Sequence, residues 1–364
     1  IEYGYCGVCI YCCFRKILLW IFFYQALHSQ AEGHLRRIIV MNNKSNTMKR
    51  VIYNRYGSPE VLEIQETAIP KLTKGQVLVQ NFASSINGGD LNVRKGFKNK
   101  IINALTKFPK TTGQDVVGKV VAIDKEVTDF KIGDMVWGNT TTNTNGMAEY
   151  VAIESNKLSF MPTTISPLEA ASIPCAGDTA LVALVYKGKL KAGERVLIRG
   201  AGGVGFFAVQ IAKSLGAHVT VLGSKTVIEK IKKYGADEVF DYHKTALEDL
   251  DTFDLIFDSV GTNHNILRKH LTKNGRLLTI AFRPLELVKL ALSVRFGKHR
   301  SHLVVAFPNR ENLTHLAQLV DKGDIITNID SVYPIDQIVD AHKRAEQRGI
   351  FGKIVVDIAG QKGN

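Results

Sequence analysis

Six residues of this 364-residue chain have types and spacing that suit one particular chemistry. Gly200-Ala201-Gly202-Gly203-Val204-Gly205 follows the pattern G-x-G-x-x-G and stands between an apolar run at 195–199 and a helix-periodic run at 204–215. In a strand–turn–helix context the glycines let the backbone approach a pyrophosphate. The opening turn of the helix then offers free N–H groups and a partial positive charge. Without that context the pattern marks only a tight turn; with it, the spacing predicts dinucleotide binding. The end of the next strand separates the two common dinucleotides. A site for NAD carries Asp or Glu there to accept from the ribose 2′-hydroxyl, whereas this chain has Gly223-Ser224-Lys225. A small residue leaves room for a 2′-phosphate, and Ser and Lys can bind it by hydrogen bond and charge. The expected cofactor is therefore NADP(H).

The elements that must position these residues follow from periodicity. Short β-branched runs at 50–53, 76–83, 116–123, 134–136 and 148–153, separated by Gly, Pro and Asn, predict a compact, mostly antiparallel β domain. The pattern changes near 168–172. A helix is expected at 178–187, then strands at 195–199, 218–222, 238–241, 253–258 and 276–281 alternating with helices at 204–215, 227–233 and 263–271. Near-continuous apolar strands in β-α alternation imply a doubly wound parallel sheet covered on both faces. The tail carries helices at 310–321 and 336–348 and a last strand at 353–358. The fold class is α/β, with a boundary expected near 172 and a second near 308.

Composition narrows the field. The chain is 45% apolar with 47 Lys+Arg against 34 Asp+Glu, a net charge of +13, which excludes disorder for its bulk. No apolar run reaches the ~18 residues of a membrane-spanning helix. Four of the five cysteines (Cys6, Cys9, Cys12, Cys13) fall in the first thirteen residues, and only Cys175 lies beyond. That is no disulfide scaffold; it points to a reducing compartment, and a cytoplasmic location is expected. Residues 1–47 differ in character from the rest. They read as translated upstream sequence before Met41 or Met48, outside the fold; the alternative is a secretory signal or interfacial anchor, since the run 17–27 follows Arg15-Lys16 and precedes Ser29-Gln30-Ala31. The remaining residues, 48–364, still carry +10. Their Lys and Arg are scattered, with no aromatic-interleaved stripe, so no nucleic-acid partner is expected.

Residues 48–364 resemble the medium-chain dehydrogenase/reductase superfamily, and within it the zinc-independent quinone oxidoreductases. The resemblance rests on Tyr56-Gly-Ser-Pro-Glu-Val-Leu62, Ser85-Ile-Asn-Gly-Gly-Asp90, Gly113-Gln-Asp115, Ala176-Gly-Asp-Thr-Ala180, the glycine loop, Gly235-Ala-Asp237, Asp241-Tyr242, Phe257-Asp-Ser-Val-Gly261 and Arg348-Gly-Ile-Phe-Gly-Lys353. The last is longer than the Arg-Gly-Lys link usual in such relatives. The resemblance implies a GroES-like catalytic domain built from 48–172 and 309–364, with a Rossmann NADP-binding domain at 173–308 inserted between them. It implies that Gly202, Gly203, Val204, Ser224, Lys225 and Tyr242 line the adenosine and phosphate end of the cofactor. Gly200 and Gly205 complete that loop, and Thr179, Ser259, Val260 and Gly261 are implied at the nicotinamide half.

Zinc-dependent relatives place Cys where this chain has Asn87, and Gly-His-Glu where it has Gly113-Gln114-Asp115. Cys175 alone occupies a ligand position, and one thiolate cannot hold a catalytic zinc that needs three protein ligands. No metal is expected. Without a Lewis acid, hydride transfer favours a quinone or enone, whose added charge is delocalised. Asn87 is the candidate for positioning substrate or nicotinamide ribose, its alternative role being a turn cap; Asp90 is a catalytic candidate or an organiser of that loop. A rival activity is reduction of enoyl thioesters or of alcohols and aldehydes. The segment 284–296 reads as an amphipathic lip capable of membrane contact or as a buried interface helix. A homodimer through an edge strand at 301–306 is implied by the resemblance.

Overall fold

The computed structural model describes residues 46–96, 107–140, 144–281, 300–347 and 349–360. The leader before residue 46 and the lip at 284–296 lie outside the described residues. Residues 49–364 form one compact unit.

Sixteen strands are described. β1 (Thr47–Tyr53), β2 (Leu62–Ala68), β3 (Gln76–Ser85), β4 (Lys110–Thr111), β5 (Asp115–Ile123), β6 (Met135–Asn139), β7 (Tyr150–Glu154) and β8 (Leu158–Phe160) come first. β9 (Arg195–Arg199), β10 (His218–Gly223), β11 (Glu238–Asp241), β12 (Phe253–Asp258), β13 (Leu271–Thr279) and β14 (Arg300–Leu303) follow. β15 (Ile329–Pro334) and β16 (Lys353–Asp357) close the chain. The helices that matter below are α1 (Gly88–Lys95), α2 (Pro174–Leu181), α3 (Gly203–Ser214), α4 (Lys225–Ile231), α5 (Arg310–Asp321) and α6 (Ile338–Glu346).

β9–β14 form a six-stranded parallel sheet in the order β11-β10-β9-β12-β13-β14. Counted from β9, that order is 3-2-1-4-5-6, the doubly wound arrangement whose crevice opens at the carboxyl ends of the two central strands, where the order reverses. β10 and β12 are buried on both faces over nearly their whole length, as mainly apolar strands of a covered parallel sheet are. The second sheet follows the path β15-β16-β3-β5-β6-β8, with β7 also paired to β3. Its tail strand β16 lies antiparallel to β3, matching Val355 to Ser85. One apolar core runs from Val117 and Trp137 through Ile173 and Leu181 to Phe206, Val219 and Phe351, so both sheets share it.

Several boundaries differ from the sequence expectation. The helix expected at 178–187 begins at Pro174, whose fixed φ suits a first helical position, and continues past Leu181 as a π-helical turn over Val182–Lys187. The helix expected at 263–271 contracts to His264–Leu267 and one 3-10 turn. Its last residues belong instead to β13, which starts at Leu271 and shifts register against β12 between Phe253 and Leu255. The polar run Thr272-Lys273-Asn274 hid that start. β2 is exposed over most of its length, so no alternation announced it. The edge strand expected at 301–306 is Arg300–Leu303 and is outermost in the six-stranded sheet.

α6 carries a strained polar group. His342 is fully buried, neither ring nitrogen has a partner, and burial together with the Arg94 charge pushes its pKa down to about 3. The folded imidazole therefore stays neutral where the unfolded one, near 6.5, takes up a proton. Stability is intact above about pH 7 and falls as pH drops from there toward 3, by roughly 2 kcal/mol at about pH 5. Thermal unfolding across that range should show this slope in the native protein and a clearly flatter one in His342→Leu, which also removes two unsatisfied nitrogens. Equal slopes would show that His342 is not its source.

Candidate functional site

Two cavities meet at Gly202. The larger, about 850 Å³, lies against the ends of β9, β10 and β11 and is lined by Gly200, Gly202, Ser224, Tyr242, His243 and Val260, among others. The smaller, about 320 Å³, lies between the two sheets and is lined by Asn87, Gly202, Gly203, Val204, Gly205, Ser259 and Lys353, among others. The glycine loop thus lines both cavities, Gly200 to Gly202 the larger and Gly202 to Gly205 the smaller. A Cβ on Gly205 would lie 1.9 Å from the Gly200 carbonyl oxygen, so this glycine lets the turn close. A Cβ on Gly202 would meet nothing within 4 Å. Gly202 therefore leaves space for a ligand, and the space faces the N-terminus of α3.

The sequence-derived residues divide by position. Ser224 is the N-cap residue of α4 and lines the larger cavity with half-exposed Tyr242. Lys225 lines neither cavity; its side chain is mostly exposed and lies 3.9 Å from Glu229 one turn on. Gly203 and Val204, in the opening turn of α3, line the smaller cavity. Val260 belongs to the larger. Thr179 and Gly261 line neither: the Thr179 hydroxyl donates to the Cys175 carbonyl at 2.7 Å, and the Gly261 N–H donates to Asp258 at 2.9 Å. Asp258 also accepts from the Val260 N–H and Arg199, and so shapes the 259–261 turn. Asp90, offered as a catalytic candidate or as an organiser of its loop, lines neither cavity. It is buried behind the cavity, accepting from the Asn87 N–H at 2.9 Å and the Gly113 N–H at 3.1 Å, and it organises the loop.

Asn87 does face the smaller cavity, with both ends of its amide engaged. Its Nδ2 donates to Asp115 Oδ2 at 2.7 Å, and its Oδ1 accepts from Lys353 Nζ at 2.5 Å. Lys353 Nζ also donates to the Ile86 carbonyl at 3.1 Å. Asp115 further accepts from the Ser85 hydroxyl at 2.5 Å and the Cys175 N–H at 2.7 Å. Burial raises the pKa of Asp115 against the lowering pull of Lys353, and burial pushes Asp90 up to about 6. Lys353, His243 and Asp258 were not singled out from sequence, though Lys353 and Asp258 stand inside recognised motifs. The available signal for Lys353 was a cation in an otherwise apolar strand.

Comparison with known proteins accords with this geometry. Residues 73–163 match the family described as "Alcohol dehydrogenase GroES-like domain", and residues 234–356 match "Zinc-binding dehydrogenase". The two-lobed fold and its dinucleotide cleft are those of an NAD(P)H-dependent oxidoreductase, and the chain belongs to the medium-chain dehydrogenase/reductase superfamily. Among its relatives, the Mus musculus protein named "NAD(P)H oxidoreductase RTN4IP1, mitochondrial" is 30% identical over 365 residues, 89% of this chain and 92% of that one. The Arabidopsis thaliana "Chloroplast envelope quinone oxidoreductase homolog" is 32% identical over 326 residues, 85% of this chain and 98% of its own length. The solved structure of the quinone oxidoreductase from Coxiella burnetii superposes with a TM-score of 0.77 at 29% identity, covering 86% of this chain and 99% of that one.

The two glycines should respond differently to substitution. Gly202→Val is expected to lose nicotinamide dinucleotide binding, because its side chain enters the space that both cavities border. Gly205→Ala is expected to lose the fold or much of its stability. Tm and titration calorimetry on both variants check this; a Gly202→Val protein that binds normally would show the cofactor lies elsewhere.

Proposed function

We propose that the protein is an NADPH-dependent reductase that transfers hydride to a quinone or α,β-unsaturated carbonyl without zinc. The observation that carries this reading is the glycine loop between two neighbouring cavities: the larger borders Gly200, Gly202 and Ser224, and the smaller, sharing Gly202, borders Asn87 and Lys353. The bound nicotinamide supplies the hydride; the chain's residues bind, orient and exclude water. Lys353 has one N–H beyond its two protein acceptors, and its Cδ lies 3.5 Å from the Cβ position of Gly203. It is placed to hold the diphosphate together with the opening N–H groups of α3. Asn87, fixed at both ends, presents a preorganised amide wall to the chamber. Alignment of hydride donor and acceptor is then the main task left to the site.

The donor set around Cys175 does not fit zinc. Its thiol donates to Gln114 Oε1 at 3.0 Å, and burial, with Asp115 adding to it, holds its pKa well above the usual thiol range. Asp115 is consumed by three donors, and the adjacent position is the amide of Asn87. A zinc site needs a thiolate and two further free ligands.

Preference for NADPH is supported by the absence of a carboxylate at Ser224 and by Tyr242 and His243 on the same wall. Lys225 contributes from the rim at most. Sequence similarity to relatives named quinone oxidoreductase, and to "NADPH-dependent alkenal/one oxidoreductase, chloroplastic" of Arabidopsis thaliana, supports the acceptor class. A homodimer through edge strand β14 belongs to the same proposal, as does a reducing, cytosolic compartment, for which the lone Cys175 of residues 48–364 speaks.

The test follows NADPH and NADH oxidation by absorbance against 1,2-quinones, alkyl enones, enoyl thioesters and aldehydes. Turnover is expected with the first two classes and with NADPH preferred. Ser224→Asp keeps an N-cap residue and should lower kcat/KM for NADPH roughly 100-fold relative to NADH. Absence of turnover with every acceptor by a folded protein would sink the reductase reading, and stoichiometric bound zinc would sink the metal-free one.

A further inference from the structure

The link between α6 and β16 does more than join two elements. Three segments wall both cavities: the glycine loop, residues 259–260, and this link, which places Gly349 on the larger cavity and Ile350, Gly352 and Lys353 on the smaller. Phe351, in the middle, turns away from the cleft and is buried at 4% exposure. Its ring stands edge-on to Phe206 at 5.4 Å and tilted against Tyr234 at 5.6 Å. Both partners belong to the parallel-sheet lobe, and Phe206 lies in the first turn of α3, donating its N–H to the Gly202 carbonyl at 2.9 Å. The link is thus pinned to the helix that opens onto the phosphate site.

A polar clasp backs the aromatic one. The Phe351 carbonyl accepts from Asn328 Nδ2 at 2.7 Å, Asn328 Oδ1 accepts from the Tyr234 hydroxyl at 3.2 Å, and the Asn328 carbonyl accepts from the Lys353 N–H at 2.9 Å. Two residues before Asn328, the Ile326 backbone exchanges two hydrogen bonds with the Gln210 side chain of α3, at 3.1 and 2.9 Å. Gly352 has φ +98°, and a Cβ there would sit 2.0 Å from the Asn328 carbonyl oxygen, so the turn admits only glycine. Lys230 Nζ stands 5.6 Å over the Phe351 ring.

We infer that Phe351 is a positioning residue that holds 349–352 as the third wall of the dinucleotide cleft and thereby sets how long the cofactor stays bound. It touches neither cavity itself and acts through Gly349, Ile350 and Lys353. A preorganised wall lowers the ordering cost of binding without entering the hydride step, so the effect falls on retention. The inference rests on the reading of the cleft as an NADPH site.

The experiment compares the native full-length protein with Phe351→Ala and Phe351→Leu. It measures Tm, NADPH affinity by titration, NADPH release by stopped flow, and kcat and KM with a quinone. Phe351→Ala should raise both Kd and KM for NADPH about tenfold through faster release, with kcat at saturating NADPH unchanged or higher. Phe351→Leu keeps the apolar anchor but loses the ring contacts, and should show a smaller change of the same kind; it carries the test where the Ala variant does not fold. Native-like affinity and release in a folded variant overturn the inference, as does a fall in kcat at unchanged Kd. A native protein that binds no NADPH overturns the proposed function as well, whereas one that binds it while the variants match it overturns this inference alone.

Discussion

The site depends on a buried positive charge. Lys353 is almost wholly buried, and its ammonium lies among Asp115, Asp90 and Asn87, with the Asn87 amide standing between it and Asp115. Burying such groups costs several kcal/mol each unless they are paired and hydrogen-bonded. Here each has donors or acceptors on several sides. The arrangement exists because β16 lies beside β3, and β3 beside β5. Lys353 opens β16, Asn87 follows the end of β3, and Asp115 opens β5, so strand pairing alone brings the three together. The polar chain then fixes the Asn87 amide without help from a ligand, which is what a preorganised wall requires.

The parallel-sheet lobe was the legible part of this protein. Its central strands β9, β10 and β12 are almost wholly buried and mainly apolar at their centres; 195–199, 238–241 and 253–258 coincide with β9, β11 and β12. The glycine loop announced itself because its chemistry is local: six consecutive residues make the turn, the close approach and the helix start. Elements that satisfy only one face, or none, left weaker traces. β2 is largely exposed, and β15 mixes intermediate and exposed positions without alternation.

The site residues obeyed the same division. Gly200, Gly202 and Ser224 were readable since the turn that carries them also defines their role. Thr179, Gly261 and Lys225 share motifs with cleft residues, yet their side chains or N–H groups serve the local backbone or solvent. Asp90 looked chemical because it is a carboxylate three residues from Asn87, when its acceptor capacity is spent on the Asn87 and Gly113 backbones. Lys353 was the largest omission. Its partner Asn87 is 266 positions away, and no local pattern reports a contact that only sheet pairing creates.

That same pairing bears on how the protein is made. The upper end of β3, residues 83–85, lies against β16 at 355–357, roughly 270 residues later. During synthesis from the N-terminus, β3 can find β5 and β7 early, but this stretch of its edge stays open until the tail emerges. An open strand edge is a template for pairing with another chain. The six-stranded sheet has no such dependence, since all its strands are consecutive in the chain and none pairs with the tail. It can mature while the surrounding lobe waits for its last strand, so the catalytic half is the one exposed to misassembly and the one whose completion dates the birth of the site.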